Sequence, residues 1–247
     1  MSKVRQGQNP LPLAETGSDA RAWVAEALGT ALVVAAVVGS GIMAERLAAG
    51  QQALALLANT LATGAALLAL ILSFGPISGA HFNPLVSAAA AFEGRLRPGA
   101  ALRFAAAQFG GGWLGTLAAQ AMFGLPLIQA SGRVRSGPEL WLSEALASFT
   151  LLLVIGLCSR RRPDATPLAV AATITAAYWF TASTAFANPA VTLARAASDS
   201  FAGIRLADVP AFWIAQALGA AAGAPLARWI AGPVPVPSPT HPPMKTV

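Results

Sequence analysis

Six stretches of this chain are apolar over about twenty residues, with at most one charge each: Ala22–Ala44, Ala53–Phe74, Phe104–Phe123, Leu140–Cys158, Leu168–Ala187 and Phe212–Ile230. A helix that crosses a bilayer needs roughly 20 consecutive apolar residues to span the hydrocarbon. Each stretch therefore reads as a membrane span, and the fold class is an all-α membrane protein. Charged residues make up 11% of the 247 positions, against about 25% in a soluble domain. That leaves too little polar surface to cover a water-soluble globule. The net charge of +6 is spread over short loops beside the spans, which argues against a nucleic-acid partner. With both termini cytoplasmic, eleven Lys and Arg fall inside and only Arg46, Arg133, Arg135 and Arg205 outside. Such a bias sets the orientation of a multi-pass protein. The one cysteine, Cys158, excludes an intrachain disulfide. Residues 1–20 are polar, lack the apolar core of a cleaved signal, and read as a cytoplasmic lead. Residues 232–247 read as a proline-rich tail.

The remaining chain, 21–231, repeats itself. Trp23-x-x-Glu26-Ala27-Leu28 recurs as Trp141-x-x-Glu144-Ala145-Leu146, Asn83-Pro84-x-Val86 as Asn188-Pro189-x-Val191, and Ala107-Gln108-x-x-Gly111 as Ala215-Gln216-x-x-Gly219. The order is kept and the offsets are 118, 105 and 108 residues. Two copies of one unit result, 21–123 and 139–231, each with three spans. Three is odd, so the second copy enters the membrane from the opposite side. Inverted repeats of this kind place the solute path near the midplane. Gly111-x-x-x-Gly115 and Gly219-x-x-x-Gly223 are small-residue pairs that let helices approach closely in lipid.

Each Asn-Pro pair follows a span with almost no polar linker. Asparagine caps helix N-termini and proline is favoured at the first helical position, so a helix starts at each. The apolar segments Leu85–Phe92 and Ala190–Ala197 are too short to cross and read as re-entrant half-helices. Non-helical backbone at membrane depth is tolerated where it lines a water-filled cavity. Two half-helices entering from opposite faces bring their positive N-termini together. That arrangement repels cations, while the amides of Asn83 and Asn188 donate hydrogen bonds to a passing oxygen.

Ser78-Gly79-Ala80-His81-Phe82-Asn83-Pro84 and Asn188-Pro189-Ala190 resemble the two signature loops of the aquaporin and aquaglyceroporin family, and Glu26-x-x-Gly29-Thr30 resembles its first helix. The resemblance runs from Arg21 to Ile230. It implies six transmembrane helices plus two half-helices, and a homotetramer with one pore per protomer. It also implies that Glu26 and Glu144 hold the re-entrant loops, so that a glutamine there would keep the hydrogen-bonding shape. Leu85 stands where the family most often has alanine. Either it narrows the pore centre or small neighbours receive it. His81 is expected to line the cytoplasmic half of the pore.

Four filter positions, counted from the two asparagines by the same resemblance, are Thr63, Ala176, Ala185 and Val191. The aromatic and the arginine of water-selective members are absent from this set. The expected filter is wide and uncharged, and passes solutes larger than water. Thr181 to Arg195 is similar to a bacterial branch often found with arsenic-resistance genes, which implies arsenite or methylated arsenicals beside water and glycerol-like polyols. That similarity places the protein in a bacterial inner membrane. Arg195 follows Val191 by four residues. It forms either a displaced positive ring near the outer mouth or an i,i+4 pair with Asp199 that snorkels to the interface. Tyr178, Trp179 and Phe180 read as an outer aromatic belt.

The rival reading is a proton-coupled transporter using Glu26 or Glu144, since an intramembrane carboxylate is a functional candidate by default. An enzyme is not expected. There is no paired carboxylate in a polar cluster, no His/Cys metal spacing and no Gly-x-Ser-x-Gly. No metal or other cofactor is expected.

Overall fold

A computed structural model describes residues 20–232. The expected N-terminal lead and C-terminal tail lie, but for Ala20 and Gly232, outside the described residues. Among these, the chain is helical and carries the order long, long, short, long twice. The first copy is α1 (Ala20–Leu47), α2 (Gln52–Ser78), α3 (Pro84–Phe92) and α4 (Pro98–Met122). The second is α5 (Pro138–Arg161), α6 (Thr166–Phe180), α7 (Pro189–Arg195) and α8 (Val209–Ala231). Helix α1 packs on α2 and α4, and α5 packs on α6 and α8 in the same way. The short helices α3 and α7 meet each other at the centre.

The α1–α4 and α5–α8 seams are made close by glycine. A methyl group at Gly111 or Gly115 would overlap the Ala27 or Ala31 carbonyl oxygen. At Gly219 and Gly223 it would overlap those of Ala145 and Phe149. Small residues at such a crossing allow dispersion contacts to hold helices together where lipid supplies no hydrophobic drive.

Polarity is inverted relative to a soluble protein. Glu26, Gln108, Glu144 and Gln216 are fully buried, while Leu114, Leu142, Ile214 and Leu218 are exposed. Four helical segments, Ala20–Leu47, Gln52–Ser78, Pro138–Arg161 and Leu206–Ala231, are by length and composition able to cross a membrane on their own. Helix α4 is long enough, but its glycines and Gln108 and Gln120 lower its apolarity, and both glutamines turn inward. Helix α6 has 15 residues, or about 22 Å. The apolar stretch Leu168–Ala187 therefore divides: its first part is helix, and its last part is the second re-entrant loop.

Candidate pore

Both asparagines adopt extended backbone and cap the helix that follows. Asn83 Oδ1 accepts from Leu85 N at 2.9 Å. Asn188 Oδ1 accepts from Ala190 N at 3.0 Å and Val191 N at 3.3 Å. Pro84 and Pro189 occupy the first helical positions. Each asparagine also donates through Nδ2 to the opposite loop, Asn83 to Ala187 O and Asn188 to Phe82 O, both at 2.8 Å. The two repeats are stapled reciprocally at their midpoint. An amide carries two N–H groups, so one on each side chain is left for a solute, and both residues line the cavity described below.

The loops before the asparagines have the same unusual backbone. Ala80 and Phe82 have φ of 49° and 48°, and Ala185 and Ala187 both have 46°. Left-handed backbone in non-glycine residues costs of order 1–3 kcal/mol each and persists only when the surroundings over-determine it. Buried carboxylates do this. Glu26 accepts from Ser78 Oγ (2.6 Å), His81 N (2.9 Å), Phe82 N (2.7 Å) and Gln108 Nε2 (2.7 Å). Glu144 accepts from Phe186 N and Ala187 N, both at 2.9 Å, and from Gln216 Nε2 at 2.6 Å. The two glutamines also donate to Ser87 Oγ and Thr192 Oγ1 on the half-helices.

A cavity of about 220 Å³ passes between the repeats. Its walls are stripes of residues four apart: Thr63, Leu67 and Ile71 on α2, Leu151, Ile155 and Ser159 on α5, and Thr166, Val170, Ile174 and Tyr178 on α6. Four residues advance slightly more than one turn, so each stripe keeps one face toward the cavity. The α6 stripe alone extends about 18 Å along the helix at about 1.5 Å per residue. Of the four expected filter residues, Thr63, Ala185 and Val191 line the cavity. Ala176 does not. It lies two residues from both Ile174 and Tyr178, which is the opposite side of a helix with about 3.6 residues per turn, and it is exposed. Tyr178 stands there instead, its hydroxyl 3.2 Å from Thr63 Oγ1. It is therefore not part of the aromatic belt expected at 178–180. That surface role is left to Trp179 and Phe180, both about half exposed.

Leu85 does not line the cavity. It is half-buried and packs against the apolar cluster that includes Ala147, Leu151, Ala220 and Ala224. His81 lines the cavity, with Nδ1 3.0 Å from Ser87 Oγ and its ring edge-on to Phe104. Arg195 lines the cavity and is 2% exposed. It neither snorkels nor pairs with Asp199, whose carboxylate accepts from Gly132 N. Its Nε donates to Ala202 O, and its guanidinium lies 3.4 Å from the Phe186 ring centroid.

Residues 14–162 match the sequence profile of the major intrinsic protein family. The chain is 53% identical to the aquaglyceroporin AqpS of Rhizobium meliloti (strain 1021) over 213 residues, covering 86% of this chain and 91% of that protein. The chain belongs to the major intrinsic protein family. Its fold is also that of the aquaglyceroporin of Plasmodium falciparum, with a TM-score of 0.62 at 17% identity, over 84% of this chain and 93% of that one. As a membrane channel of the aquaglyceroporin branch, it leaves its two buried acids without a free proton-carrying position. Every contact made by Glu26 and Glu144 is with an N–H or O–H of the loops and supporting glutamines, and neither acid lines the cavity.

One residue beside the pore had no signal in the sequence. Arg135, in the loop between α4 and α5, is buried and donates to the carbonyls of Gly203, Ser183 and Phe201. Its backbone N–H is held by Asp208. Its guanidinium lies 5.0 Å from the same Phe186 ring that Arg195 covers. Burial, and after it the charge of Arg195, lowers Arg135 to about 9, which leaves it cationic at neutral pH. A loop folding back has no periodicity from which such a position is read.

Proposed function

We propose that this channel passes small uncharged polyols and metalloid hydroxides, namely glycerol-like solutes and arsenite or methylated arsenicals, along with water, and that its flux is passive. The observation that carries the reading is the pairing of hydroxyl and apolar wall beside the two asparagines. Thr63 and Tyr178 offer hydroxyls to the cavity, and Ala185 and Val191 offer it small apolar surface. A polyol presents both kinds of surface. Its hydroxyls take hydrogen bonds from the free N–H groups of Asn83 and Asn188 while its carbon skeleton lies against the apolar wall. With valine rather than arginine at 191, the constriction has room for a solute wider than water. The neutral trihydroxide form of arsenite is a polyol of similar size and shape. The relative named an aquaglyceroporin supports the same class.

In this reading Asn83 and Asn188 face the solute at the centre, and Pro84, Leu85, Pro189 and Ala190 start the half-helices behind them. The outer filter is Thr63, Tyr178, Ala185 and Val191, and His81 lines the inner half. The protein assembles as a homotetramer in a bacterial inner membrane with both termini cytoplasmic. It carries out no chemical step, so it is not an enzyme. Stopped-flow light scattering on proteoliposomes, with glycerol, arsenite and osmotic water gradients compared, tests the solute class. Glycerol and arsenite permeation well above that of empty vesicles is expected. Water flux alone would refute the class.

A further inference from the structure

We infer that Arg195, one helical turn beyond Val191 on α7, supplies the positive charge that position 191 lacks and excludes cations at the outer filter. The inference rests on the channel reading above and replaces its uncharged filter with a charged one. Val191 and Arg195 are four residues apart and both line the cavity. An arginine seated away from the pore would reach lipid headgroups or a carboxylate. Arg195 does neither: it is buried, and no ion pair involves it among the described residues. Its stem turns so that Nε meets the Ala202 carbonyl, and its plane lies on the Phe186 ring.

That seat fixes the side chain without neutralising it. A carbonyl and an aromatic face both favour a guanidinium, the ring through its quadrupole, and neither cancels its charge. A guanidinium has five N–H donors. Among the described residues only the Nε–H of Arg195 is engaged by the protein, so the terminal nitrogens are left to the cavity. They are suited to hydroxyl oxygens of a neutral solute and unfavourable to a metal cation or hydronium. The charged and titratable groups around the site are Arg133 and Arg135 from the α4–α5 loop, Glu144 on α5 and Tyr178 on α6. Glu144 is committed to the backbone of the second loop. Arg135 stands over the same ring and donates to Ser183 O in that loop, so cations outnumber anions here.

The experiment compares sodium leak with glycerol flux in proteoliposomes for wild type, Arg195→Gln, Arg195→Lys and the double variant Arg195→Gln with Val191→Arg. Tetramer yield is followed by size exclusion. Removing this charge from the cavity wall is expected to raise the ratio of sodium leak to glycerol flux in R195Q by on the order of tenfold or more. The double variant is expected to restore exclusion, which a purely structural arginine would not do. A buried lysine loses its proton more readily than arginine. R195K is therefore expected to exclude sodium at about pH 6 and to leak at about pH 8, where Arg135 keeps its charge and wild type still excludes sodium, and this arm serves if R195Q fails to assemble. Leak unchanged in R195Q at normal yield, or independent of pH in R195K, overturns the inference while leaving the channel reading intact. A wild-type protein that conducts no glycerol would instead overturn the channel reading.

Discussion

Glu144→Gln is the smallest change that tests how the second re-entrant loop is held. The carboxylate accepts three hydrogen bonds, from Phe186 N, Ala187 N and Gln216 Nε2, and donates none. Glutamine replaces one acceptor oxygen with an NH2 group. If that group faces Phe186, two donors oppose each other. If it faces Ala187, the same happens there, even when the Gln216 amide turns over to accept. In either pose a buried backbone N–H is stranded, at a cost of roughly 1–3 kcal/mol, and a charge-assisted bond of about 1.5–3 kcal/mol is lost. Removing a buried charge offsets part of this, so the net loss is on the order of 3 kcal/mol. The loop that loses its support contains Ala185 and Ala187 at φ of 46°, which adds to the loss. For a chain of this size 1 kcal/mol corresponds to roughly 2–4 °C, so a fall of about 6–12 °C in detergent melting temperature is expected. A melting temperature within about 2 °C of wild type, at normal yield, would refute the claim that an all-acceptor carboxylate holds the loop.

Three further outcomes follow from the same geometry. Asn188→Asp places an oxygen against Phe82 O, which now accepts from Asn188 Nδ2 at 2.8 Å, and sets a negative charge at the junction of the half-helices. A rise in sodium leak in proteoliposomes is expected, and an unchanged leak would contradict the electrostatic account of the centre. Val191→Arg puts a long cation on the cavity wall and is expected to lower the ratio of glycerol to water permeability. An unchanged ratio with normal tetramer yield would remove position 191 from the constriction. Gly219→Val overlaps the Ala145 carbonyl, which is backbone and cannot yield as a side chain would. Overpacking costs typically 1–3 kcal/mol, so a marked loss of folded protein by size exclusion is expected, and wild-type yield would contradict the tight α5–α8 seam.

The duplicated features were legible because each copy repeats a local rule. Asn-Pro favours a helix start in both copies, and Glu26 and Glu144 recur at matching positions in the first helix of each. The filter was legible only in part. Val191 lies in the half-helix that Asn188 caps, whereas Thr63 and position 176 are both counted back across non-helical residues, the four at 79–82 and the seven at 181–187, the second stretch including Thr184 and two alanines in left-handed backbone. Counting by residue assumes a fixed rotation of α6, and its i,i+4 stripe places Tyr178 rather than Ala176 at the cavity. The demand that the loops place on Glu26 and Glu144 was legible only in outline. Shape alone does not reveal that both carboxylate oxygens face only donors. The seat of Arg195 depended on a ring three-dimensionally adjacent, Phe186, and on Arg135 from a distant loop, neither of which its own helix announces.

The central claim is passive conduction rather than coupled transport, and the most direct measurement is glycerol entry into proteoliposomes with the proton gradient set independently. Initial rates would be followed across a range of glycerol gradients, with and without an imposed pH difference and a protonophore. Rates proportional to the glycerol gradient and indifferent to the proton gradient are expected, because Glu26 and Glu144 do not line the cavity and are committed to the re-entrant loops by their hydrogen bonds. Saturating entry that rises with an inward proton gradient and collapses with the protonophore would contradict passive conduction.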